Sequence, residues 1–84
     1  MGITTKRKKY RYVVYTSIVC DEEWAFTCKL KEFIVKNDAI EYFLEKCAEE
    51  VDKNQLDLDE MVNDGLSFHN LKTNSYIWVK TEEV

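Results

Sequence analysis

The side chains best suited to covalent or acid–base chemistry are few: one histidine, His69, and three cysteines, Cys20, Cys28 and Cys47. A catalytic histidine needs a nucleophile or carboxylate within hydrogen-bond reach. No recognisable spacing around His69, in "FHN" between core candidates, supplies one. The cysteines form no Cys-x-x-Cys pair, so neither a zinc site nor a redox motif is expected. Cys47 falls on an apolar helical stripe and reads as packed. Cys20 reads as the most exposed thiol, with no helix start or basic neighbour to activate it. The acidic residues lack the Glu-x-x-His pairing of carboxylate-bridged metal centres. Gly2 and Gly65, the only glycines, leave no phosphate-cradling loop. The chain therefore reads as non-enzymatic, with no catalytic residue, no metal and no cofactor.

What remains is charge. The formal net charge is −4, yet Lys6, Arg7, Lys8, Lys9 and Arg11 put five positive charges and no negative one near the start. By contrast, Asn37 to Asp64 holds ten acidic residues and two lysines. At about 100° per residue, Asp38, Glu41, Glu45, Glu49 and Asp52 fall on one narrow arc of a helix, with Tyr42 beside them. A solvated helix ordinarily sets Glu against Lys four residues on. Here Glu41 precedes Glu45 and Glu45 precedes Glu49, pairs that destabilise the helix. A row of negative charge at one-turn spacing, about 5.4 Å, suits a basic groove evolved for phosphates.

The elements that must position this row follow from hydrophobic period. Residues 1–9 read as a flexible basic arm, with too little apolar surface to offset ordering entropy. Residues 10–84 read as a single small domain. Tyr10 to Val19 is β-branched and aromatic and predicts a strand. "DEE" predicts a turn, and "WAFTCKLK" alternates as a second strand ending near Val35; its apolar phase jumps at Glu32, so Phe33 and Val35 continue the buried set only if a bulge or a bend intervenes. With the turn centred on Glu22, Cys28 stands opposite Thr16. The spacing of Ile40, Phe43, Leu44, Cys47, Ala48 and Val51 predicts an amphipathic helix, with Asn37 or Asp38 as cap and a capping box from Asp38 to Glu41.

Asp57 and Glu60 predict a second, short helix stopped by Gly65, and the rival reading takes Asp64-Gly65 as a hairpin turn. "LSFHNL" and "SYIWVK" predict two further strands, with "TEEV" a loose tail. Trp24, Phe26, Tyr76 and Trp78 are expected in the core. The fold class is thus α+β, a two-layer sandwich of ββααββ order with an antiparallel sheet, one main helix and a short second one packed on one face.

No apolar run approaches the roughly 20 residues of a membrane span. Free thiols and the lack of a signal-like apolar start predict a reducing, cytoplasmic location. The expected function is capture of another protein, one with a basic groove, by Asp38, Glu41, Tyr42, Glu45, Glu49 and Asp52. Size and acidity fit a phage-type inhibitor that occupies the nucleic-acid-binding groove of a host defence or nucleic-acid enzyme. The alternative is a nucleic-acid-binding module using Lys6, Arg7, Lys8, Lys9 and Arg11 with Tyr10, Tyr12 and Tyr15 as stacking residues. An uncovered sheet edge would also be open to a second copy of the chain.

Overall fold

The computed structural model describes residues 9–19 and 25–84. Five strands and one long helix follow in the order β1 (Tyr10–Val19), β2 (Ala25–Phe33), α1 (Lys36–Asn54), a one-turn 3₁₀ segment (Leu58–Glu60), β3 (Met61–Asp64), β4 (Ser67–Asn70) and β5 (Ser75–Glu83). The sheet runs β2-β1-β5-β4-β3 and every pairing is antiparallel. It is an α+β fold with α1 packed on one sheet face.

β1 has the expected bounds and lies between β2 and β5, the last strand of the chain. The β1–β2 register sets Thr16 against Cys28, as expected, and shifts between Val14 and Tyr15, where β2 carries an extra residue. That bulge is the device the apolar phase jump requires: it returns Phe33 to the helix side, opposite Tyr12. The "DEE" turn, Cys20 and Trp24 lie outside the described residues, as do Lys6, Arg7 and Lys8.

Three expectations are corrected. The predicted second helix is one 3₁₀ turn, so the observed order has a fifth strand in its place. Asp57 and Glu60 do form the capping box, but Gly65, at φ +61°, turns a β3–β4 hairpin instead of stopping a helix. Met61 to Asp64 gains a ladder with β4 there, which a second helical turn would have forfeited. The tail is not loose: Glu83 pairs with Tyr10, and the Val84 amide donates to the Lys9 carbonyl at 2.9 Å. Finally, α1 begins at Lys36. Val35, extended, is its N-cap without a side-chain bond, and the Val35 carbonyl accepts from the Ala39 amide. Neither Asn37 nor Asp38 is the cap, and the Asp38–Glu41 box does not form. Asp38 stands inside the first turn, where its charge suits the positive end of the helix dipole.

The core joins Ala39, Phe43 and Cys47 of α1 to Val14, Ile77, Phe68 and Leu56. Leu56 reaches it because Gln55 takes a left-handed conformation, φ 50°, and the Leu56 amide bonds back to the Val51 carbonyl at 3.1 Å. Strand alternation puts Val13, Tyr15, Tyr76 and Trp78 on the opposite, helix-free face. Tyr76 and Trp78 are therefore not core residues, and Phe26 on β2 is 58% exposed.

Candidate functional site

α1 holds the carboxylate row rigidly because its other side is buried on the sheet. Phe43 anchors the middle, and Glu50 anchors the C-terminal half by accepting from Asn70 Nδ2 at 3.2 Å and Ser75 Oγ at 3.4 Å. Asp38, Glu41, Glu45, Glu49 and Asp52 are all exposed, on the side of α1 turned from the sheet. Glu49 is paired with Lys46 at 3.1 Å, and its hydrogen bond is the main cause that raises the Lys46 pKa. Among the described residues, Asp38, Glu41, Glu45 and Asp52 have no cationic group within 4 Å. Among the described residues the row thus keeps four carboxylates outside any ion pair along a helix of 19 residues, with Glu45 felt by Lys46 only at longer range.

Tyr42 behaves differently from the other five. It packs against the core, its ring 5.4 Å from that of Phe33, with the ammonium groups of Lys31 and Lys46 over it at 5.6 and 5.2 Å. It supports the flank of the row nearest β2, and these two lysines bound the acidic surface on that side.

Of the basic candidates, Lys9 and Arg11 are among the described residues, and they differ. Lys9 is exposed, whereas Arg11 is engaged with Glu32 at 3.6 Å and Glu82 at 3.4 Å. Tyr12 packs toward the helix while Tyr15, on the other face, stacks on Trp78 at 5.6 Å. Tyr10, Tyr12 and Tyr15 therefore form no common stacking platform. His69 lies against Tyr76, ring centres 4.0 Å apart, and its Nε2 meets Asn74 Oδ1 at 3.0 Å. Cys47 is buried, and burial chiefly, with Glu50 nearby, pushes its pKa up to about 11, so it is a poor nucleophile. Cys28, not assigned as exposed from the sequence, is. Among the described residues, no group of three or more His, Cys, Asp or Glu converges as metal ligands. No helix among them is long and apolar enough to cross a membrane.

Sequence reasoning missed an ionic chain on the helix-free face. Tyr15 donates its hydroxyl proton to Glu82, Arg11 bridges Glu82 and Glu32, and Lys29 donates to Glu32. Only the strand register, which sets Arg11 opposite Glu82 across 71 residues of chain, assembles it. The Tyr15 hydroxyl, then Arg11, hold Glu82 below its ordinary 4.5, and Lys29 first, then Arg11, do the same for Glu32. Carboxylates with depressed folded values stabilise the fold above pH 4.5 and lose that contribution as pH falls through the folded values. Urea unfolding of the native chain should therefore weaken below about pH 4.5, and Glu82→Gln should flatten that acid limb. An unchanged limb would mean that Glu82 makes no such bonds in solution.

No family model, curated protein or solved structure matches the chain.

Proposed function

We propose that this is a non-enzymatic protein that captures another protein through the acidic outer side of α1. The observation that carries this reading is the run of Asp38, Glu41, Glu45 and Asp52, exposed along one helix with no cation within 4 Å among the described residues. The helix accepts the repulsion of like charges one turn apart, although lysines at those positions would relieve it. Fixed negative charges near phosphate spacing are complementary to a groove that binds nucleic acid. The partner's chemistry is thus a basic cleft, and the action is inhibition by occupancy, as expected of a phage-type inhibitor of a host defence or nucleic-acid enzyme.

The alternative, a nucleic-acid-binding module, finds less support. Arg11 and Lys29 already have carboxylate partners within the chain, and the tyrosines are divided between faces.

The test is Glu41→Lys, Glu45→Lys and Glu49→Lys together, in a chain whose circular dichroism is unchanged. Binding to the partner recovered by affinity capture from the native host should fall by about 100-fold or more, since charge complementarity becomes repulsion along about two turns. Undiminished capture would eliminate the acidic surface as the contact. A mobility shift of nucleic acid that weakens steeply with salt would instead favour the module.

A further inference from the structure

β2 is the long open edge of the sheet. Its residues Ala25 to Glu32 are all exposed, and among the described residues no strand lies beyond it. The opposite edge, β3, offers only four residues. Lysines and bulges commonly keep such edges from pairing, and β2 carries both. Its lysines are nonetheless answered within the chain: Lys29 is held by Glu32, and Lys31 lies over the rings of Phe33 and Tyr42 at 5.4 and 5.6 Å.

The bulge has a second effect. Lys31 faces the helix side opposite Val14, and Lys29 faces away opposite Tyr15. Leu30, between them, lines a cavity of about 210 Å³ with Thr16, Lys46, Glu49 and Ile77, so it too faces the helix side. Alternation therefore changes phase between Leu30 and Lys31. A symmetric antiparallel neighbour must keep matching faces together. For β2 against itself, that condition holds across the bulge when Leu30 stands opposite the partner's Lys31. In this register Lys29 meets the partner's Glu32, and Glu32 the partner's Lys29. Cys28 meets the partner's Phe33, where β2 ends.

We propose that two copies of this chain associate edge to edge through β2, antiparallel, about a two-fold axis between Leu30 and Lys31. The axis is perpendicular to the sheet, so ten strands become continuous and both α1 helices lie on the same side. The interface is isologous and closes at two chains. It adjoins the acidic surface only at Glu49, which lines the same cavity as Leu30, and it uses none of Asp38, Glu41, Glu45 and Asp52.

The experiment is the mass of the intact chain by sedimentation from about 1 to 500 µM, with circular dichroism confirming that each variant is folded. The native chain should reach the two-chain mass. Lys29→Glu alone and Glu32→Lys alone should each weaken association at least about tenfold, and the double swap should restore it, because opposite charges then face each other again. A one-chain mass throughout would overturn the proposal, leaving the edge to another occupant. So would a two-chain mass that neither single swap alters, or a double swap that fails to restore it.

Discussion

Phe43→Ala should cost about 3–5 kcal/mol, whereas Leu44→Ala, one residue on, should cost roughly 0.5 kcal/mol or less. Phe43 has no exposed surface and lies among Val14, Ala39, Cys47, Phe68 and Ile77. Its removal leaves a void between two rigid layers, sheet below and helix above, that cannot collapse without moving one of them. Leu44 is 52% exposed, and alanine there gains a little helix propensity to offset the lost contact. A domain of this length holds roughly 4–13 kcal/mol in all. The first variant should therefore populate the unfolded state visibly in urea titrations at 25 °C, and the second should superimpose on the native curve. Equal losses would mean that α1 is rotated on the sheet, which would also turn the carboxylate row.

That contrast marks how far periodicity alone reaches. The three- and four-residue spacing of α1 was legible, and with it the outward arc of Asp38, Glu41, Glu45, Glu49 and Asp52. The centre of the buried stripe was not. Ile40, Leu44 and Ala48 share the apolar period with Phe43 and Cys47, but the sheet covers the side bearing Ala39, Phe43 and Cys47 and leaves Leu44 and Ala48 exposed. Which side is covered depends on where the helix crosses the sheet, a tertiary fact.

The strands divide in the same way. β1 announces itself through its β-branched and aromatic residues, and the phase jump in β2 calls for a bulge or a bend, of which the register shows a bulge. The neighbour of β1 across the sheet is more than 50 residues away in sequence and carries no local signal. Tyr76 and Trp78 looked like core for that reason: both parities of β5 are apolar, Ile77 and Val79 as well as Tyr76 and Trp78, and only the register chooses between them. At Asp57 to Gly65 two local signals competed. The capping box won a single turn and the Asp-Gly turn won the rest, because Met61 to Asp64 pairs with β4.

Asn70→Asp should be the most informative substitution for how α1 is held over the sheet. Asn70 is fully buried, and each end of its amide has a task. Oδ1 accepts from the amides of Lys72 and Thr73 at 3.0 and 3.2 Å, closing the β4–β5 turn, while Nδ2 donates to Glu50 on the helix at 3.2 Å. Aspartate keeps the acceptor and its size, so the turn persists, but it replaces the donor with a carboxylate facing a carboxylate. At pH 7 the loss should be about 2–4 kcal/mol, the sum of a missing hydrogen bond and a like-charge contact in a partly buried site. Two such groups cannot both stay ionised at low cost, so one takes a folded pKa raised above its unfolded value. Stability tied to a raised value is present below the unfolded pKa and lost as pH rises through the folded one. The deficit of the variant, measured against the native chain at each pH, should accordingly shrink toward pH 4, even though the native chain itself weakens there through Glu32 and Glu82. A deficit that stays constant with pH, or none at neutrality, would show that Asn70 and Glu50 do not meet in solution. The C-terminal half of the acidic row, Glu49 and Asp52, would then be tied to the sheet layer by Ser75 Oγ on Glu50 and by Lys72 Nζ on the Asn54 carbonyl instead.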